Sequence, residues 1–188
     1  MSNVWRLHLE ADRYLSFVPH DLNFFREKFQ CKSLKSRWKT PPVEILGKSK
    51  PAPDFALWMT MAPAVSEGAR NAINDVANDC VEFLDFHQVK GKNYSIMNVL
   101  RCENYLDTER SVLESVSAKY VFRKSIPEVI PPIFKCAGQW DEIFVSTEFA
   151  EMMVTQRLRG ASLADPVEPT FPLILSKACV NRFPGLIP

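Results

Sequence analysis

The chain is poor in the residues from which catalytic and metal centres are usually built. Histidine occurs three times, as His8, His20 and His87, with no H-x-H or H-x-x-x-H pair among them. Glycine occurs six times and is nowhere clustered, which leaves no loop to cradle a phosphate. There is no G-x-S-x-G nucleophile elbow and no D-x-D-x-D-G calcium loop. The five cysteines, Cys31, Cys80, Cys102, Cys136 and Cys179, are odd in number and contain no C-x-x-C. That pattern argues against a disulfide framework or a zinc knuckle and reads as reduced thiols. No catalytic residue, metal ligand or cofactor is expected, and the chain reads as a non-enzyme.

Charge and apolar length narrow the field further. The formal net charge is +1, without the basic excess that phosphate neutralisation demands of a nucleic-acid binder. No apolar run approaches the roughly 20 residues that span a bilayer. The opening, Met1 to Arg6, has no apolar stretch of the kind a signal peptide needs. The expectation is a cytoplasmic protein with no membrane partner.

What is present fits a packed domain. The 188 residues are 46% hydrophobic and 24% charged, enough to build a core without disulfides or metal. Fourteen prolines against six glycines point to stiff connections rather than flexible linkers. Residues 1–165 are expected to form one domain, and the proline-rich residues 166–188 an extension packed on it.

Periodicity places the elements. Trp5, Leu7 and Leu9 alternate with Arg6, His8 and Glu10, the pattern of a half-buried strand. Tyr14 to Val18 reads as a second strand, and Val43 to Leu46, between prolines, as loop or edge. Phe55 to Met61 reads as a buried strand that Pro63 ends. Ser66 then caps a helix over about 66–80, whose Ala69, Ala72, Ile73, Val76, Ala77 and Cys80 share one face. Val81 to His87 and Tyr94 to Cys102 read as strands around a turn at Lys90 to Asn93. Tyr120 to Arg123, Ile133 to Lys135 and Glu142 to Val145 read as further short strands. A second helix over about 147–159 follows, with Ser146 or Thr147 as its cap, Glu148 and Glu151 in its first turns, Arg157 and Arg159 in its last, and Gly160 as its stop. No internal repeat is visible. Roughly eight short strands and two helices, without regular crossovers, predict an α+β fold with a mostly antiparallel or mixed sheet.

Three groups of polar residues stand out. The segment from Phe24 to Lys39 carries Arg26, Lys28, Lys32, Lys35, Arg37 and Lys39, interleaved with Phe24, Phe25, Phe29 and Trp38. Basic residues among aromatics can grip single-stranded nucleic acid or meet an acidic protein surface. The plainer reading turns the aromatics inward and solvates the lysines. A second stretch is acidic, with Glu103, Asp107, Glu109 and Glu114 on an expected loop. Asp75, Asp79, Glu82 and Asp85 read as a solvated acidic face, Cys80 as a core thiol and Asn98 as a buried amide paired with a neighbouring loop. The candidate partner-binding residues are Arg26, Lys28, Lys35 and Arg37 from the basic segment and Glu103, Asp107 and Glu109 from the acidic one.

An ordered series of short segments resembles a known family. Val4-Trp5-Arg6-Leu7 is similar to its opening, and Pro63-Ala64-Val65-Ser66 to its helix entry. Val81-Glu82-Phe83-Leu84, then Tyr94-Ser95-Ile96-Met97-Asn98-Val99 with Leu106-Asp107, are similar to its centre. Tyr120-Val121-Phe122, Ile133-Phe134-Lys135 and Ile143-Phe144-Val145-Ser146-Thr147-Glu148-Phe149 follow in the same order. The family is the eleventh immunity-protein family of bacterial polymorphic toxin systems. The resemblance spans about residues 4–165. It implies a cytoplasmic, non-enzymatic protein that binds and neutralises a cognate toxin, and it offers no catalytic residues. The family's usual apolar run after Gly160 is weak here, in Ala161 to Asp165. The alternative function is a nucleic-acid-binding or regulatory module built on residues 24–39.

Overall fold

Both predicted helices form, and each starts on a serine. The computed structural model describes residues 4–21, 28–113 and 118–167. In it, α1 (Glu67–Ala77) and α2 (Thr147–Thr155) are preceded by Ser66 and Ser146, whose hydroxyls accept from the amides of Ala69 and Phe149, each at 3.3 Å. A cap of this kind contributes about 1 kcal/mol. Glu67 and Glu148 add a favourable charge in the first turns. The second helix is shorter than expected. It ends at Thr155, and Arg157 rather than Gly160 takes up the left-handed turn, at φ 51°. Arg157 and Arg159 therefore lie beyond the helix.

Eleven strands complete the described residues. They are β1 (Val4–Leu9), β2 (Ser16–Pro19), β3 (Val43–Leu46), β4 (Phe55–Met59), β5 (Ala62–Ser66), β6 (Val81–Val89), β7 (Lys92–Val99), β8 (Cys102–Glu103), β9 (Ile133–Cys136), β10 (Gln139–Ser146) and β11 (Ala161–Ala164). One sheet runs β11-β1-β10-β9-β8, a second β4-β5-β7-β6, and β2 pairs with β3 alone. Every pairing is antiparallel except β8 with β9. The result is the expected α+β fold.

Both larger sheets are covered on both faces. Trp5 and Leu7 of β1, Ile143 and Val145 of β10, and Met97 and Val99 of β7 join Ile73 and Phe149 of the helices in the central core. The other face of β7 sends Tyr94 and Ile96 into a second cluster with Phe17, Phe29, Leu34 and Trp58. The other face of the first sheet sends Val4, Phe134, Cys136 and Phe144 into a third, under residues 105–113 and 118–130.

This double burial accounts for several departures from expectation. Arg6 is 2% exposed, although the alternation of β1 points it to solvent. Its guanidinium lies over the Tyr120 ring, 5.6 Å from the centroid, with Nε 4.0 Å from Glu142, which also accepts from Tyr120. Burial raises the Glu142 carboxyl while Arg6 and the tyrosine hydroxyl oppose it. Pro63 does not end a strand but lies inside β5. The β4 register shifts there, and pairing with β7 begins only at Ala64, so no ladder bond needs its missing N–H. Cys102 leaves β7 to form β8, and Tyr120 to Arg123 makes only the Leu106–Phe122 bridge rather than a strand.

A repeat that the sequence hides becomes visible in the topology. The hairpin β4–β5 leads through Val65-Ser66 into α1, and the hairpin β9–β10 leads through Val145-Ser146 into α2. Beyond the shared Val-Ser and the acidic first turn, the two units have little in common at the residue level. β11 ends at Ala164, one residue before the end of the domain expected over 1–165. There the Pro166 carbonyl accepts from the Tyr120 amide at 2.8 Å. The rest of the extension expected at 166–188, from residue 168 onward, lies outside the described residues.

Candidate partner-binding cleft

The described part of the basic segment folds over the second sheet and walls a cleft. Phe29 is fully buried and Leu34 nearly so, against Trp58 and the β6–β7 face. Trp38 packs edge-on to both Phe29 and Trp58, with centroids at 6.1 Å. Its indole N–H donates to the Asp85 carbonyl at 2.7 Å. The Thr40 hydroxyl reaches the same carbonyl, and His87 Nε2 meets the Pro41 carbonyl at 2.8 Å. Phe29 and Trp38 thus pack toward the core, as the plainer reading expects of them. Phe24, Phe25 and Arg26 lie outside the described residues.

Glu82 anchors this wall. Its Oε1 accepts from the Leu34 amide at 2.6 Å and from Asn98 Nδ2 at 2.8 Å, and its Oε2 accepts from the Ser33 hydroxyl at 2.6 Å. Asn98 also donates to the Lys32 carbonyl at 2.9 Å, the loop pairing its sequence position suggests. Glu82 is thus no member of a solvated acidic face. Asp75, Asp79 and Asp85 are exposed, whereas Glu82 is half-buried under three donors.

The resulting cleft holds about 590 Å³, within the range of ligand sites. Leu34, Trp38, Pro41 and Pro42 give it an apolar floor, and Lys28, Lys32, Arg37 and Lys39 a cationic rim, with His20, Asp21 and Thr40 between. Among the described residues that line it, four lysine and arginine side chains stand against one carboxylate, which makes it a positive concavity. It has no thiol and no metal cluster, and among the described residues no group of three His, Cys, Asp or Glu is placed to hold a metal. No family model matches the chain, and no curated protein matches it.

The candidate residues fall into two places. Lys28 and Arg37 line the cleft, and Lys35 is exposed on the 3-10 turn Lys35–Arg37 without lining it. Lys32, Lys39 and Glu82 belong to the same structure but were not among the candidates, because only the folded loop selects which cations converge. Glu103, Asp107 and Glu109 lie on β8 and the loop that follows, and none of them lines the cleft. Glu103 is paired with Arg101 at 3.3 Å, and Asp107 with Arg110 in its own turn. Only Glu109 is fully exposed. Glu103 and Asp107 are thus each paired with a nearby arginine, and Glu114 lies outside the described residues.

Behind the wall lies a buried cation. Lys135 is 0% exposed, and its Nζ donates to the Phe29 carbonyl at 2.7 Å. Burial pulls its ammonium down to about 8 from the ordinary 10.5. The unfolded chain keeps this proton up to the ordinary value while the folded chain releases it near 8. Between the two, folding therefore gains stability as pH rises, by about 3 kcal/mol in all. Urea unfolding of wild type and Lys135→Met is expected to show their stability difference moving by about that much in favour of wild type between about pH 7 and about pH 11. Titrations common to both proteins largely cancel in that difference. A difference that stays constant across the range would mean that burial does not penalise the charged lysine.

Proposed function

We propose that this chain is a non-enzymatic binding protein that captures and neutralises a cognate toxin of a bacterial polymorphic toxin system, acting in the cytoplasm. The resemblance of residues 4–165 to the immunity family suggests the partner class, and the cleft suggests how the partner is held. The observation that carries the reading is the cationic rim set over an apolar floor and braced from behind by Glu82. Such a surface suits an acidic segment of a protein with an apolar anchor. Complementary charge speeds encounter and rejects wrong partners, and the apolar floor of Leu34, Trp38, Pro41 and Pro42 supplies the buried contact that dominates affinity. A single-strand binder would need several aromatic faces open for base stacking, and among the described residues Trp38 is the only Phe, Tyr or Trp that lines the cleft.

The test is co-expression with the neighbouring reading frames, followed by pull-down. Stoichiometric recovery of one neighbour that is toxic alone and harmless beside this chain is the expected outcome. Lys32→Glu with Arg37→Glu is then expected to weaken that complex by about 100-fold, mostly through slower association at low salt. An undiminished complex would move the interface away from the cleft. Absence of any toxic neighbour, with salt-sensitive polynucleotide binding in its place, would favour the nucleic-acid module instead.

A further inference from the structure

Two cysteines lie close together behind the cleft wall. The Cys31 thiol donates to the Arg101 carbonyl at 3.4 Å, beside the next residue, Cys102. The strand register shows why these two meet and the third nearby cysteine does not. In the parallel pairing of β8 with β9, Cys102 stands beside Lys135 and Glu103 beside Cys136. Neighbours in register share a face, and faces alternate along a strand. Cys102 and Lys135 therefore point to one side, where Lys135 reaches the carbonyl of Phe29, two residues before Cys31. Cys136 points to the other side, into the cluster with Phe134 and Phe144.

Exposure and backbone agree with this pairing. Cys102 is exposed and Cys31 half-buried, whereas Cys80 and Cys136 are buried. Cys31 sits at φ 56°, in the left-handed region that a residue other than glycine seldom adopts. The turn aims its sulfur at the Arg101–Cys102 peptide. Lys32 and Leu34, just beyond it, line the cleft, as does Lys28 just before it.

We propose that Cys31 and Cys102 are a thiol-oxidation site, which a small-molecule disulfide of the glutathione type converts into a reversible bond stapling the cleft wall to β8. The exposed Cys102 attacks first, as its thiolate. Its sulfur bonds to one sulfur of the small disulfide, and the other half leaves as a thiolate that takes up a proton. The Cys31 thiol then loses its proton to solvent and attacks the Cys102 sulfur, expelling the second small thiol. Two protein thiols are oxidised, one small disulfide is reduced to two thiols, and the protein sulfurs close to about 2.05 Å. Burial keeps the Cys31 thiol above its ordinary range, which makes the second step the slow one. Excess small thiol reverses both steps.

The staple does not depend on what the cleft binds, and its test needs no partner. The full-length protein is incubated with oxidised glutathione, blocked with an alkylating agent, digested without reduction and mapped by mass spectrometry. The expected result is one linked peptide pair joining Cys31 to Cys102. It should be lost in Cys31→Ser and in Cys102→Ser, retained in Cys136→Ser, and reversed by reduced glutathione. Loop residues on either side of Cys31 should also become at least tenfold slower to cut by trypsin. A glutathione adduct that persists on Cys102, or a link from Cys102 to Cys136, would overturn the proposal.

Discussion

Gly160→Ala is expected to destabilise the fold by about 4 kcal/mol or more, a large part of the total stability of a domain this size. Gly160 has φ +96°, outside the regions open to residues with a side chain. A methyl group there would overlap the Phe55 carbonyl oxygen and the Pro53 side chain. Neither neighbour can easily give way. The Asp54 and Phe55 amides both donate to the Arg159 carbonyl, at 2.8 and 2.9 Å, and the Glu10 amide donates to the Gly160 carbonyl at 3.0 Å. Asp54 binds the Arg159 amide, the Ser66 hydroxyl and the Lys92 ammonium besides. The start of β4, the end of β1 and the entry to β11 are thus pinned at one point. Gly138 supplies the control: its φ is +80°, but nothing lies within 4 Å of the added carbon. Gly138→Ala should therefore cost only about 1 kcal/mol, from backbone strain alone. Denaturant midpoints of the two variants decide the matter, and equal midpoints would show that the junction relaxes around the methyl group.

Gly160 also shows where a sequence stops being readable. Its glycine is visible as a break, and the sequence reading assigns it to the end of the second helix. The structure ends that helix at Thr155 and uses Gly160 for a close approach to a strand distant in sequence. Local signals were legible wherever the chain satisfies itself locally. Ser66 and Ser146 cap the helices that follow them, and the apolar stripe from Ala69 to Ala77 faces the core as its spacing requires. Signals failed where a partner comes from elsewhere. Arg6 reads as solvent-facing because alternation assumes a sheet with one wet face, and Glu142 and Tyr120 bury it instead. The repeated hairpin–helix unit is carried by topology and two serines, too little for a pattern search along the chain. The candidate cleft divides in the same way. The cations of residues 24–39 are evident from composition, and Phe29 and Trp38 pack toward the core as amphipathicity suggests. Which cations converge depends on how the loop is held, and that depends on a carboxylate 48 residues from the Leu34 amide it accepts from.

That carboxylate carries the second large effect. Glu82→Ala is expected to cost about 3 kcal/mol and to release the cleft wall. Three donors lose their acceptor at once: the Leu34 amide, the Ser33 hydroxyl and Asn98 Nδ2. A hydrogen bond to a charged group contributes about 1.5–3 kcal/mol, and a buried donor left unpaired adds its desolvation cost. The three bonds share one side chain, so their losses do not simply add. Ser33 is exposed and can turn to water, whereas Asn98 is fully buried and cannot. Most of the cost therefore falls on Asn98 and the Leu34 amide. Glu82→Gln separates charge from shape. Its amide oxygen can still accept from Leu34 and Asn98, and its nitrogen can donate to a rotated Ser33 hydroxyl, so it should lose only about 1 kcal/mol. Hydrogen exchange at the Leu34 amide reads the wall directly. Protection there should fall by about 100-fold in Glu82→Ala and stay near wild type in Glu82→Gln. With the wall released, Lys32 and Leu34 lose their fixed places, and the complex proposed for the cleft should weaken even though none of its cations has changed. A Leu34 amide that stays protected in Glu82→Ala would mean that the apolar packing of Phe29, Leu34 and Trp38 holds the wall without the carboxylate.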